Sequence, residues 1–222
     1  MHMGESALAD TGRNFGLSGA ALKWIAMITM LIDHIGAVVM EYGLYYQGGA
    51  ETFRRLLDSG NGQWLYTFQR LMRMVGRPSF LLYSFLLVEG FFHTRSRKRY
   101  TFQMLLFALI SEIPFDLAAS NRWFYLGYQN VFFEFLIGLT VLWGMEQAVI
   151  FGKTLLTVEA GKIFAVALGC MAAVFIQADY DYIGIIIIAA FYEFHASRAG
   201  RSLSAAVLGG LETLDLNFGI GA

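Results

Sequence analysis

Long apolar blocks divide the chain, and short polar segments separate them. A helix needs roughly 20 mostly apolar residues to cross a bilayer. Blocks of this kind predict about seven spanning helices, which lie at 20–42, 76–93, 101–118, 130–148, 161–177, 181–196 and 203–222. The last block is the weakest, because Glu212, Asp215 and Asn217 dilute it. Residues 1–17 are polar, and the first block is long enough to remain in the bilayer, so we expect no cleavable signal peptide.

The segment 51–75 has a different pattern. Its apolar residues recur at helical spacing over 64–75, whereas Arg70 and Arg73 occupy the other side of the same helix. This pattern is typical of a helix that lies at a membrane interface or packs inside a bundle, and it favours an amphipathic connector. The predicted fold is therefore an all-α, polytopic integral membrane helix bundle that forms a single transmembrane domain over 1–222.

Composition agrees with a membrane protein and narrows its partners. Hydrophobic residues make up 57% of the chain, charged residues only 15%, and the mean hydropathy is +0.53. A soluble domain of this size is more polar, so the lipid bilayer is the first partner that we expect. The net charge of −1 gives no basic excess for nucleic acid. Cys170 is the single cysteine, which excludes an intramolecular disulfide and argues against a thiol-rich metal site.

Basic residues predict the orientation of the chain. The densest basic loop is "HTRSRKR" at 93–99, and such loops face the cytoplasm. Alternation of the spans then places the amino terminus, including residues 1–17, in the cytoplasm. Seven spans place the carboxyl terminus outside.

The first span contains ionisable residues, although a charge at the centre of a bilayer costs about 3 kcal/mol or more. In "LKWIAMITMLIDHIG", Lys23 and His34 lie on one face of the helix, about 16 Å apart along its axis. Lys23 is expected near the cytoplasmic boundary and His34 near mid-membrane. Asp33 is turned by about 100°, so we expect it to contact a neighbouring helix. A snorkelling lysine and a helix–helix hydrogen bond from the histidine are the alternatives.

Other predicted spans carry further polar side chains. The candidates are Arg77, Glu89, Glu112, Asp116, Asn130, Glu134 and Asp179. Glu112 and Asp116 share one helix face at a spacing of four residues, which favours a functional role. For Asp181, Glu193 and His195, a wetted helix end is favoured. A polar seam of this kind is typical of a transport path or of a membrane catalytic chamber, and its histidines lack metal-ligand spacing.

Several stretches together resemble the TraX family of bacterial membrane proteins. They are "LKWIAMITMLIDHIGAV", "VGRPSFLLYSFLLVEGFFHTRSRKRY", "LLFALISEIPFDLA", "YQNVFF" and "ADYDYIG", in family order over roughly 20–195. The resemblance implies location in the bacterial cytoplasmic membrane, acetyl-CoA as the acyl donor and acetylation of a pilin amino terminus. It also implies a relation to the large membrane acyltransferase superfamily, whose first helix has a basic residue, ten residues and then a histidine. Lys23 and His34 match that spacing.

The chain also departs from its relatives. Glu134 stands where a small or apolar residue is commoner, and Gly76-Arg77-Pro78-Ser79-Phe80 lacks the usual phenylalanine-proline pair. Relatives usually continue into a last helix with a tyrosine-proline-x-histidine motif, which the printed sequence does not contain. If that helix contributes to the site, we expect activity to require it.

These observations lead to one hypothesis and two alternatives. The hypothesis is a membrane acetyltransferase that acts on an amine or hydroxyl of a pilin-like protein or a glycan. His34 is the general base, and Asp33 or another buried acid supports its imidazolium. Lys23 and Arg77 are the candidate contacts for the coenzyme or a developing oxyanion. Acetyl-CoA is implied by the resemblance, and no metal is expected. The alternatives are a small proton-coupled transporter or channel and a non-catalytic membrane assembly protein.

Overall fold

The computed structural model describes residues 18–46, 51, 54–55 and 58–197, and within them the chain is helical. The helices are α1 (Gly19–His34), a π-helical segment (Ile35–Tyr46), α2 (Gly60–Gly76), α3 (Pro78–His93), α4 (Arg97–Ser120), α5 (Val131–Phe151), α6 (Leu155–Ile176) and α7 (Asp181–Glu193). The β structure of these residues is an isolated bridge between Gln129 and Ala178. The predicted all-helical class is therefore confirmed.

Local sequence explains where the helices begin and end. Ser18, Ser59, Ser96, Asn130 and Thr154 each precede a helix, and each side chain accepts a hydrogen bond from a backbone N–H of the first turn. Pro78 occupies the first turn of α3, where its missing N–H is not needed. Asn121 and Gln177 have a φ of 55°, and this left-handed conformation ends α4 and α6.

Among the described residues, five helical stretches are long and apolar enough to cross a membrane. They are Gly19–Met40, Gly60–His93, Arg97–Ser120, Val131–Phe151 and Leu155–Ile176. Seven spans are therefore not confirmed. The predicted span at 181–196 corresponds to α7, whose 13 residues fall short of the roughly 20 that a bilayer requires. The predicted span at 203–222 lies outside the described residues.

The amphipathic segment at 64–75 is helical, as predicted, but it is more than a connector. It forms most of α2, and Arg77 continues the helical backbone directly into α3. Gly36 of the π-helical segment approaches Met72 of α2, and Gly76 lies against Asp33 of α1. Met72, Arg73 and Gly76 therefore face the first helix, whereas Trp64, Phe68 and Leu71 are exposed.

The core lies between α3, α5, α6 and α7. Its fully buried members include Phe80, Leu142, Ile185 and Ile188. The methyl group of Ile188 occupies the space over Gly138, which allows α5 and α7 to approach closely. Large apolar side chains are exposed on the outer faces of α4 and α6, among them Phe107, Ile110, Phe164 and Phe175. Such surfaces are expected of helices that face lipid.

The two ends of the bundle differ in their polar groups. We call the end around the loop 94–96 the basic end. There Arg97 of α4 pairs with Glu146 of α5, and Lys162 of α6 pairs with Glu193 of α7. We call the opposite end the cavity end. It contains the beginning of α5 and α7 and the loops 121–130 and 177–180, which the bridge between Gln129 and Ala178 joins.

Candidate functional site

A cavity of about 960 Å³ opens at the cavity end, between α1, the junction of α2 and α3, α4, and the two joined loops. This volume lies in the range of small-molecule sites, which is roughly 300–1,000 Å³. The acidic, basic and histidine side chains that line it are Asp33, His34, Arg73, Arg77, Asp116, Asp179 and Asp181. The cavity therefore brings together polar side chains that are scattered over more than 140 positions of the sequence, from 33 to 181.

His34 lies on the wall of the cavity, at the point where α1 passes into the π-helical segment. Its Nδ1 lies 2.9 Å from the carbonyl oxygen of Met30, which can only accept, so we assign the ring proton to Nδ1. Nε2 then carries a lone pair, and it has no hydrogen-bond partner among the residues of the described structure. A neutral imidazole with an open Nε2 can accept a proton near neutral pH.

Asp33 is turned from His34 towards α2. Its Oδ2 accepts a hydrogen bond from Nη1 of Arg73 at 2.6 Å, and the charge of Arg77 also acts on it. Gly76 permits this contact, because a Cβ at that position would overlap the Asp33 side chain. Asp33 therefore binds a neighbouring helix and makes no hydrogen bond that would orient the imidazole of His34.

Glu112 and Asp116 of α4 take different roles, although they share a helix face. Oε2 of Glu112 accepts from the backbone N–H of Asn130 at 3.2 Å and from its side-chain amide. Asn130 lines the cavity, whereas Glu112 lies behind it. Asp116 lines the cavity and is only 2% exposed. Its Oδ2 accepts from the backbone N–H of Tyr125 at 2.7 Å, while its Oδ1 has no partner in the described structure.

Asp179 lies in the loop between α6 and α7 and faces the cavity. Burial raises the pKa of its carboxyl, and a hydrogen bond from the hydroxyl of Tyr128 opposes that rise. A charge on His34 acts on Asp179 and opposes the rise of its pKa, so the two side chains interact electrostatically. Glu134 does not line the cavity; it is fully buried behind the wall formed by Asp179 and Asp181.

The structure does not bring Lys23 or Glu89 into the cavity. Lys23 is exposed on α1, about 16 Å along the helix axis from His34. Glu89 lies at the basic end, where its Oε1 is 3.1 Å from Nε2 of His195. Residues 77 and 89 are about 18 Å apart along a helix, so one cavity does not reach both. The prediction that Glu89 lies with the other site residues is therefore corrected: it lies at the basic end. Within the described ranges, no group of His, Cys, Asp and Glu is arranged to hold a metal ion.

Comparison with known proteins defines the family. The family described as TraX protein matches residues 18–215, which is most of the chain. The chain belongs to the TraX family. Over 137 residues, the chain is 32% identical in sequence to the probable fimbrial assembly protein FimC, serogroup H1, of Dichelobacter nodosus. That match covers 59% of this chain and 47% of the relative, so the chain spans about half the length of the curated relative. No solved structure matches.

This TraX family member is therefore a multi-pass membrane protein with a polar cavity. Several residues that line the cavity were not predicted as site residues from the sequence. They are Arg73, Tyr125, Tyr128, Tyr180 and Asp181. A usable signal existed for Arg73, since it precedes Arg77 by four residues and therefore shares its helix face. The tyrosines lie in loops or at a helix boundary, where no periodicity indicates direction.

Proposed function

We propose that this TraX family chain is a membrane-embedded acyltransferase that transfers acetyl from acetyl-CoA to an amine or hydroxyl acceptor, with His34 as the general base. The observation that carries the proposal is the open Nε2 of His34 on a cavity that also contains Arg77. Family membership supports it, because the resemblance described above implies acetyl transfer.

The cavity residues supply the parts that acyl transfer requires. Nε2 of His34 takes the proton from the acceptor nitrogen or oxygen, which then attacks the thioester carbonyl carbon. The new bond forms at that carbon, the carbon–sulfur bond breaks, and His34 returns the proton to the leaving thiolate. Arg77 provides positive charge for the developing oxyanion. The carboxylates of Asp33 and Asp179 stabilise the imidazolium through their charge.

Acetyl-CoA is too long for its nucleotide and its acetyl group to bind at the same residue. The cavity residues fit the thioester end, since they offer a base and an arginine. Lys23, on the part of α1 that leads away from the cavity, remains the candidate contact for the phosphates of the coenzyme. In this arrangement the donor extends along α1 from the basic end to His34.

The proposed orientation places the basic end in the cytoplasm of a bacterium and the cavity end outside. It can be tested with single cysteines in a Cys170→Ser background. Lys98 and Phe124 are both exposed, one at each end of α4. An impermeant thiol reagent should label Phe124→Cys in intact cells and should not label Lys98→Cys. Labelling of Lys98→Cys from outside would reverse the orientation and separate Lys23 from cytoplasmic acetyl-CoA.

The catalytic proposal is tested by acetyl-CoA turnover in the purified protein, with amine and hydroxyl acceptors offered separately. His34→Gln should lower turnover by about 10²–10⁴, because an amide keeps hydrogen bonds but accepts no proton. His93 is a matched control: its Nδ1 lies 2.8 Å from the carbonyl oxygen of Glu89, four residues earlier, as in His34, but it lies at the basic end. His93→Gln should retain turnover. Equal turnover in His34→Gln and the unmodified protein would refute the general base.

A second candidate is a non-catalytic role in pilus assembly, which the name of the FimC relative favours. The two candidates differ in their dependence on proton transfer. Assembly of pili in cells that carry His34→Gln should fail if acetylation is required. Full assembly in those cells, with normal amounts of the protein in the membrane, would favour the assembly role.

A further inference from the structure

Glu134 is a buried carboxyl group that the proposed mechanism does not use. It lies in the first turn of α5, is 0% exposed, and neither of its carboxyl oxygens has a hydrogen-bond partner in the described structure. The backbone N–H of Tyr180 is directed at the carboxyl. Buried polar groups are rarely left in this state, so Glu134 requires an explanation.

The groups around Glu134 come from three elements. From α7, Gly184 leaves room for the carboxyl, since a Cβ there would lie 2.5 Å from Oε1, and Asp181 contributes a negative charge. The loop before α7 contributes Asp179, and α6 contributes the thiol of Cys170. The charged side chains that act on Glu134 are therefore acids. The nearby cations Arg73 and Arg77 act on Asp33 instead.

An ionised carboxylate in this position would have no counter-ion among the described residues and would lie beside two further acids, and that arrangement is very costly. Within the described residues, the acids near Glu134 are not arranged as a metal-binding group. A proton is the remaining way to neutralise the carboxyl. We propose that Glu134 is a proton-storage site that exchanges its proton with the cavity through Asp179.

Two acids connect the surroundings of Glu134 with the cavity. Asp179 and Asp181 act directly on Glu134 and also line the cavity. Asp179 in turn accepts a hydrogen bond from Tyr128 and interacts with the charge of His34. Asp179 therefore interacts electrostatically with both His34 and Glu134, which makes it the candidate relay between them. The catalytic use of this store rests on the proposed function, but the store itself does not.

Infrared spectroscopy of the purified protein tests the stored proton without any activity. The carbonyl band of a neutral carboxylic acid should be present at neutral pH and should be lost in Glu134→Gln. Glu146 provides the control, because it lies on the same helix but is paired with Arg97 and should be ionised. Glu146→Gln should therefore keep the band. A band that is unchanged in Glu134→Gln, or one that appears in wild type only when sodium is removed, would overturn the proton site.

Exchange with deuterium tests the connection to the cavity. In D₂O, the band should shift before the backbone amides of α5 exchange, and Asp179→Asn should slow this shift because an amide does not relay a proton. A shift as slow as the amides, or one that is unaffected by Asp179→Asn, would contradict exchange through Asp179. Glu134→Leu tests whether this side chain serves only to fill space. If the cavity groups respond equally to deuterium and to pH in Glu134→Leu and in wild type, Glu134 is only a packing residue.

Discussion

The basic end and the cavity end of the bundle handle charge in opposite ways. At the basic end, half-buried ions pair with ions. Arg97 binds Glu146, and Lys162 lies between Glu193 at 2.9 Å and Glu159 at 3.1 Å. These contacts join α4 to α5 and α6 to α7. Each of the two cations has at least one carboxylate partner, which suits a structural clamp.

At the cavity end, two of the four acids that line the cavity are held by neutral donors. Asp116 accepts from the backbone of Tyr125, and Asp179 accepts from the hydroxyl of Tyr128. Asp33 is the exception among the acids that line the cavity in the described structure, because it forms an ion pair with Arg73. Neutral donors fix the position of a carboxyl without cancelling its charge, so its remaining oxygen can act on a ligand or on His34. Under the proposed function, the difference assigns stability to the basic end and chemistry to the cavity end.

The largest effect on folding is expected from closing the contact that shapes the cavity. In Gly76→Val, the new side chain would overlap Asp33 and push α1 from α2. Overpacking of this kind costs about 1–3 kcal/mol or more of unfolding free energy. Gly60→Ala is the control, since nothing lies within 4 Å of a Cβ at Gly60. Thermal unfolding in detergent should separate the two variants; an equally stable Gly76→Val would show that α1 and α2 are not in close contact.

The next largest effect is expected from breaking the clamp at the basic end. Glu146→Gln removes the partner of Arg97, whose side chain is 33% exposed, so solvent screens part of the loss. We expect a cost of about 1–2 kcal/mol, below the value for a fully buried pair. The double variant with Arg97→Met should recover part of it, because no unpaired guanidinium remains. Additive losses in the cycle would show that the two side chains do not interact.

A smaller effect is expected from the same chemical change at the cavity end. Asp116→Asn retains an oxygen that accepts from the N–H of Tyr125, so the unfolding free energy should change by less than about 1 kcal/mol. Asp116→Ala leaves that N–H unpaired and should cost about 1–3 kcal/mol. If Asp116→Asn were as destabilising as Glu146→Gln, the contrast between neutral donors and ion pairs would not hold.

The smallest effect on stability is expected at Lys23. It is exposed and does not line the cavity, so Lys23→Met should change the unfolding free energy by no more than about 0.5 kcal/mol. If Lys23 contacts the coenzyme, the variant should raise KM for acetyl-CoA while kcat stays near that of the unmodified protein. An unchanged KM would remove Lys23 from the donor site.

The sequence was sufficient for the parts of the structure that depend on periodicity. Apolar blocks and their lengths predicted helices that the structure contains, and the cost of buried charge directed attention to His34 and Asp116. Helical rotation also predicted that Asp33 would contact a neighbouring helix, and the structure places it against Arg73.

Depth and tertiary contact were harder to predict. Glu89 was grouped with Arg77 because both belong to one polar seam, but rotation about a helix says nothing about the rise that separates the two ends. Arg73 was assigned to the polar side of an amphipathic helix, and only the approach of α1 at Gly76 turns that side towards Asp33. The predicted span at 181–196 extended beyond the end of α7, because Phe194 and Ala196 continue the apolar pattern by composition alone.

One crossed measurement tests the division of the molecule most directly. Acetyl-CoA turnover and melting temperature are measured on the same preparations of His34→Gln and Glu146→Gln. The account predicts that His34→Gln loses turnover and keeps its melting temperature, because Nε2 of His34 makes no hydrogen bond in the described structure. Glu146→Gln should lose melting temperature and keep turnover at temperatures where it is folded. Full turnover in His34→Gln, or loss of turnover in a folded Glu146→Gln equal to that in His34→Gln, would contradict the account.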